Sequence, residues 1–221
     1  MKIPLIIMTL AAVAIIVLIY ALTRPRLYTP EGNSQPRTLE QKLAVLEQCG
    51  LKLAHPFTVQ NLLESWDRSE YEKRGWDMVI FGLAMTEEKE PWRHHCVNLW
   101  HFDTECIEDH GDYKSIAERM VSMAQGSLLL DDIKDYVDVE EGKAWLAFKF
   151  KDHSVRIDCK VQDDWVDPSI FGTFVELLKQ SDPTKLYIYL DLGGQDCIIG
   201  CVSRDQFEQL KRLGIAFKPL S

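Results

Sequence analysis

Twenty consecutive uncharged residues, 3–22, constrain this chain more than any other feature of its sequence. An α-helix rises about 1.5 Å per residue, so about 20 apolar residues cross a hydrocarbon core roughly 30 Å thick. A cleaved signal peptide is the alternative, but its apolar core is typically about 7–15 residues long and ends at small residues. Here the run is longer and ends with Ile19, Tyr20 and Leu22. We therefore predict an uncleaved transmembrane helix over residues 1–23.

The sequence leaves the orientation of this anchor open. Lys2 lies on one side of the span and Arg24 and Arg26 lie on the other, so the positive-inside rule favours a cytoplasmic C-terminal domain only slightly. No two of the six cysteines are evidently placed to close a loop, and free thiols fit a reducing compartment slightly better than an oxidising one. We predict a single-pass protein of the plasma membrane that contacts the lipid bilayer through residues 3–22.

The rest of the chain is strongly acidic. Residues 1–26 hold three bases and no acid, which leaves 22 bases against 34 acids and a formal charge of −12 downstream. Such a charge disfavours nucleic acid as a partner, because phosphates would be repelled. Residues 24–37 contain three prolines and several small polar residues, and they are typical of a linker. The remaining residues, 38–221, are enough for a single domain with one core.

Hydrophobic periodicity predicts the class of this domain. Helices come first, and strand-like segments with helices between them follow, joined by short turns that indicate antiparallel pairing. We therefore predict an α+β fold, in which helices precede a mostly antiparallel sheet with interleaved helices. Predicted helices begin at Thr38, Thr58, Tyr71, Asp112, Asp167 and Ser203, and predicted strands cover 97–103, 134–139, 144–150, 155–161, 186–192 and 197–202.

One segment concentrates side chains of the kinds that bind metals. A metal-dependent enzyme is an alternative function that would use this segment, but zinc needs four donors in tetrahedral array, and no C-x2-C pair is present. Cys96 beside these histidines could form a nucleophile pair, yet cysteine is among the most buried residue types. No other catalytic signature is apparent, so we predict no enzymatic activity, no cofactor and no metal. The candidate ligands are His94, His95, His101, Asp103, Cys106 and His110.

Two other segments combine acidic and aromatic residues in predicted loops. An acidic surface with aromatic anchors suits a basic protein partner, since it provides electrostatic steering and hot spots. The simpler interpretation is a solvated acidic face, with Asp167 as a helix cap and Trp165 in the core. If the surface is functional, reversing Asp163, Asp164 and Asp167 together should slow association. The candidate partner-binding residues are Asp103, Glu105, Glu108, Asp109 and Asp112 in one loop and Asp163, Asp164, Trp165 and Asp167 in the other.

Three short motifs carry a resemblance to a known group of proteins. The segment 100–107, WHFDTECI, with Gly-Asp-Tyr at 111–113, resembles bacterial immunity proteins of polymorphic toxin and type VI secretion systems, as do 164–167 and 194–196. The pattern extends over roughly residues 38–218. The resemblance implies a small acidic protein that binds one cognate secreted toxin and occludes it directly, without catalysis. It also fits a location at the inner membrane. A membrane-tethered assembly factor of the cell envelope is a further alternative.

Overall fold

The computed structural model describes residues 37–87 and 91–221, which form an α+β fold with antiparallel sheets. No helix within these two ranges is long and apolar enough to cross a membrane. The predicted span 3–22 and all of the predicted linker except Arg37 lie outside the described residues.

Four short helices open the described chain: α1 (Leu39–Gln48), α2 (Val59–Ser65), α3 (Arg68–Lys73) and α4 (Asp77–Ala84). The predicted start at Thr38 is confirmed by a capping box: the Gln41 amide donates to Thr38 Oγ1 (3.3 Å), and the Thr38 amide donates to Gln41 Oε1 (2.9 Å). The prediction of one helix from Tyr71 to Met85 is wrong, because the chain is extended at Arg74 between α3 and α4.

A buried lysine explains this break. The Lys42 side chain, only 6% exposed, donates from Nζ to the carbonyl oxygens of Tyr71 (2.8 Å), Glu72 (3.3 Å), Arg74 and Gly75 (3.0 Å). Carbonyls that end a helix have no intrahelical partner, and a buried carbonyl needs one. Lys42 supplies these donors from α1, so α3 ends where the lysine reaches it.

The strands form two sheets, where the sequence predicted one. They are β1 (Leu99–Asp103), β2 (Asp131–Asp138), β3 (Lys143–Phe150), β4 (His153–Cys159), β5 (Lys185–Gly193), β6 (Asp196–Ser203) and β7 (Lys218–Pro219). The central sheet has the order β1-β6-β5-β7, and the second sheet is the predicted meander β2-β3-β4. Every pair is antiparallel. The short strand β7 was not predicted.

Three further helices cover the sheets: α5 (Asp112–Met123), α6 (Ser169–Ser181) and α7 (Arg204–Arg212). The main core lies between the two sheets and the helices α5 and α6, and alternate residues of β6 (Cys197, Ile199 and Cys201) contribute to it. Aromatic contacts join its layers, with Phe102 of β1 against Phe171 of α6 (ring centroids 5.7 Å apart). On the other face of β1, α4 places Phe81 against His101 (5.1 Å).

Candidate partner-binding surface

The two acidic loops predicted from the sequence meet in the structure. The chain leaving β1 runs beside the segment before α6, where the Val166 amide donates to the Thr104 carbonyl (2.9 Å) and the Ile107 amide donates to the Asp164 carbonyl (2.8 Å). Glu105 and Trp165 form an antiparallel bridge between these contacts. Segments about 60 residues apart in the sequence therefore build one surface. The acidic surface, as the term is used below, consists of Asp103, Glu105, Asp163, Asp164 and Trp165.

The carboxylates of the acidic surface repel one another. Desolvation, followed by the charges of Asp164, Asp103 and Asp163, raises the pKa of Glu105 above its ordinary value. No carboxylate of the acidic surface is in a salt bridge with another described residue. Asp103 instead accepts hydrogen bonds from the Glu105 amide (2.9 Å) and from Gln195 Nε2 (3.1 Å). The surface thus presents uncompensated negative charge.

Trp165 adds an aromatic side chain to this surface. It is 38% exposed, so it is not a core residue, although its backbone lies in the bridge to Glu105. Asp163, beside it, has a positive φ of 56°, which fits a tight turn and which aspartate tolerates better than most residues. The turn holds Asp163 and Trp165 on the outside of the molecule.

Asp167, the remaining predicted residue of the second loop, has a structural role. Asp167 is 5% exposed, and its carboxylate accepts hydrogen bonds from the amides of Lys160 (2.7 Å) and Ser169 (2.9 Å). Its own amide donates to the Tyr113 hydroxyl (3.0 Å). This burial leaves Asp167 little surface with which to contact a partner.

The loop before α5 is also closed by its own carboxylates. Asp112 Oδ2 accepts hydrogen bonds from the amides of Glu108 (2.7 Å) and Asp109 (2.8 Å). Asp109 Oδ1 accepts from the amide (2.6 Å) and Nδ1 (2.9 Å) of His110. Glu108 and Asp109 are exposed. Their hydrogen bonds are to Asp112 and His110, not to Glu105 or Asp164. They are therefore neighbours of the acidic surface in the sequence and are not part of it.

A groove of about 600 Å³ adjoins the acidic surface. It is lined by residues 100–103 of β1 and by one face of α5 that includes Asp112, Ile116 and Arg119. Trp92, which is 63% exposed, lies at its margin. Sequence reasoning missed Trp92 and Arg119, because nothing in their local pattern shows that α5 lies beside β1.

Arg119 holds α5 in this position. Arg119 is only 7% exposed. Its guanidinium donates to the carbonyls of Val97 (3.0 Å), Cys96 (3.2 Å) and Leu99, at the start of β1. Its Nε is buried without a hydrogen-bond partner among the described residues. Burial lowers the pKa of Arg119 to about 10, so the group remains charged at neutral pH. The wall of the groove is therefore fixed by a buried cation on backbone carbonyls.

The candidate metal ligands do not converge. His94 Nδ1 lies 2.7 Å from Thr86 Oγ1, and His95 Nδ1 lies 2.9 Å from the Gly82 carbonyl. His101 Nε2 lies 3.2 Å from Asp196 Oδ1, while His110 contacts Asp109. Within residues 37–87 and 91–221, no group of three or more His, Cys, Asp or Glu side chains is arranged to hold a metal ion.

The cysteines near these histidines are held in the thiol form. Cys96 is fully buried and donates to Asn98 Oδ1 (3.1 Å), and burial raises its pKa. Burial, with the charges of Asp103, Asp112 and Asp164, raises the pKa of Cys106 to about 12. Burial similarly lowers the pKa of His94 to about 4. The reactive form of cysteine is the thiolate, so this arrangement is the opposite of an activated nucleophile.

No family model, curated protein or solved structure matches this chain. The resemblance to immunity proteins therefore rests on the short sequence motifs, and the function must be argued from the acidic surface and its surroundings.

Proposed function

We propose that this chain is a membrane-anchored immunity-type protein, which binds a cognate secreted toxin through its acidic surface and neutralises it by direct occlusion. It performs no catalysis and needs no cofactor. The predicted helix over residues 1–23 would hold it at the inner membrane through its uncharged run 3–22, with a slight preference for a cytoplasmic domain.

The meeting of the two acidic loops is the observation that supports this proposal most. A solvated acidic face needs no particular arrangement, whereas here four carboxylates lie together. Desolvation, and then the charges of the other three, raise the pKa of Glu105, and none of the four is in a salt bridge within the described part of the chain. Unpaired like charges cost stability, and a basic partner would relieve that cost on binding. The exposed indole of Trp165 beside them is the kind of aromatic group that forms a hot spot.

The first experiment tests neutralisation itself. The full chain, tagged at its C-terminus, is used to capture proteins from its native cells, and each captured protein is then expressed alone and together with the chain. We expect one dominant protein that is toxic alone and harmless when co-expressed. Capture of several envelope components, none of them toxic, would contradict the proposal and favour an assembly factor.

The second experiment tests the acidic surface. Neutralising Glu105→Gln, Asp163→Asn and Asp164→Asn together should slow association with the toxin about tenfold at low salt, because steering depends on these charges. The matched control changes the same net charge at the exposed residues Glu47→Gln, Glu64→Gln and Asp152→Asn. We expect the control to bind nearly as fast as the wild type. Equal rates for both triple variants would remove the acidic surface from the proposal.

A further inference from the structure

The outer edge of β1 is open along the groove. β1 ends the order β1-β6-β5-β7, so β6 pairs with one of its edges. The Cys201 amide donates to the Asn98 carbonyl and the Thr104 amide donates to the Gln195 carbonyl, which fixes the even-numbered residues as those bonded to β6. In an antiparallel pair the alternate residues direct their N–H and C=O groups outward. The backbone of His101 and Asp103 therefore faces away from β6.

The open stretch has defined ends. At one end the Arg119 guanidinium donates a hydrogen bond to the Leu99 carbonyl. At the other end the chain beyond Asp103 pairs with residues 164–166. No described strand pairs with β1 between these points. Natural proteins usually cover, charge or shorten such an edge, since it is a template for another strand. Here the edge is short and lies in a groove.

Acidic side chains outnumber basic ones in the lining of the groove, and apolar surface lies beside them. Asp103, Asp112 and Glu118 line it. Arg119, the one Lys or Arg among its described lining residues, is directed at backbone carbonyls. Trp92 and Trp100 offer aromatic surface. An extended segment places successive side chains on opposite sides, so alternating basic and apolar residues would meet both kinds of wall.

We propose that the partner inserts an extended segment, with Lys or Arg alternating with apolar residues, into this groove and that the segment pairs with the outer edge of β1 at His101. This proposal rests on the proposed function, because it takes the partner to be the basic protein bound by the adjoining acidic surface. Main-chain hydrogen bonds to the edge provide affinity, and the groove walls select the side chains. A volume of about 600 Å³ suits a short segment and is too small for a folded domain.

The test uses hydrogen exchange of the full chain in detergent micelles with a defined probe, the heptapeptide acetyl-KVKVKVK-amide. We expect the probe to slow amide exchange in residues 99–103. The control peptide has the same sequence with every amide N-methylated, so it keeps the charge but has no backbone donors, and its N-methyl groups keep its carbonyls from reaching the N–H groups of β1. We expect it to give no protection there. Equal protection by both peptides would overturn strand pairing, and so would slow exchange of the outward-facing His101 and Asp103 amides before any peptide is added.

Two variants of His101 isolate the backbone donor. His101→Pro removes the outward N–H but leaves the bonds to β6, and proline is tolerated on edge strands. His101→Ala removes the imidazole and keeps the N–H. Since one hydrogen bond contributes about 0.5–1.5 kcal/mol, we expect the proline variant to bind the probe about 3- to 10-fold more weakly than the alanine variant. Circular dichroism checks that both variants are folded. If the proline variant is not folded, the comparison of the two peptides on the wild type tests backbone pairing instead.

The outcomes separate this inference from the proposed function. Protection of residues 104–107 and 162–166 without protection of 99–103 would leave the acidic surface in place and reject strand pairing. Conversely, an unaltered association rate in the Glu105, Asp163 and Asp164 variant would count against the acidic surface, whatever the heptapeptide does at β1.

Discussion

Asp167 and Asp163 are four residues apart in one acidic loop, yet the structure uses them in opposite ways. Asp167 is buried, with two backbone amides donating to its carboxylate, while Asp163 is exposed at a turn beside other carboxylates. Asp167 therefore stabilises the fold, whereas Asp163 contributes to the acidic surface. An acidic run is therefore not one feature, and only the exposed members are available to a partner.

The difference has an electrostatic signature. Burial alone would raise the pKa of Asp167, but hydrogen bonds from the Lys160 and Ser169 amides outweigh it and hold the pKa below the ordinary value. The pKa of Glu105, on the acidic surface, is raised instead, by desolvation and by neighbouring charges. The fold thus favours the charged form of Asp167 and disfavours that of Glu105.

The largest effect we predict is on stability, from Asp167→Asn. The amide side chain loses an acceptor and turns a donor toward a backbone N–H, so the free energy of unfolding should fall by about 2 kcal/mol. The matched variant Asp163→Asn should stay within about 0.5 kcal/mol of the wild type, because Asn tolerates a positive φ and the site is exposed. Chemical denaturation measures both. Equal effects would erase the distinction between the two residues.

The loss of stability in Asp167→Asn should also depend on pH. A carboxyl whose pKa is lowered by folding contributes stability above its ordinary pKa and loses it as the pH falls through the folded value. The stability gap between the wild type and Asp167→Asn should therefore be widest near neutral pH and narrow on acidification below about pH 4. A gap that is constant with pH would mean that the loss is one of packing and not of charge.

A smaller loss is expected from Asp135→Ala, on β2. Asp135 belongs with the structural carboxylates, since it accepts hydrogen bonds from the amides of Gly111 (2.8 Å) and Lys114 (3.2 Å) at the start of α5. Removing a side-chain cap costs about 1 kcal/mol. Asp158→Ala, exposed on β4, is the control and should change little. Thermal unfolding of the two variants provides the comparison, and equal midpoints would exclude a capping role.

Local signals predicted most of the elements. The capping box at Thr38, the alternation in β3 and the Gly193–Gly194 turn between β5 and β6 all depend on residues close in sequence, and the structure confirms them. The break in the predicted helix over 71–85 was missed, although Gly75 is a local stop signal, and the Lys42 contacts that stabilise it come from about 30 residues away. The division into two sheets depends on contacts of the same long range.

The candidate surface shows the same limit. Its acidic residues could be named from composition, but their meeting depends on the pairing of Thr104 with Val166, which no local pattern specifies. A structural role for Asp167, as a helix cap, was the simpler interpretation of the sequence, but its burial was not predicted. Trp92 and Arg119 carry no local signal, since they gain their position from the packing of α5 beside β1.

The smallest predicted effect tests the repulsion within the acidic surface. In the double variant Asp163→Asn, Asp164→Asn, the pKa of Glu105 should move down toward its ordinary value, because two of the charges that raise it are gone. Carboxyl carbon shifts followed by NMR against pH measure this directly. Asp167→Asn serves as the control, since its charge is not among those that raise the pKa of Glu105. If Glu105 titrates identically in the wild type and the double variant, the charges of Asp163 and Asp164 do not perturb it. Repulsion between the two loops would then be absent from the acidic surface, and a basic partner would have no such cost to relieve.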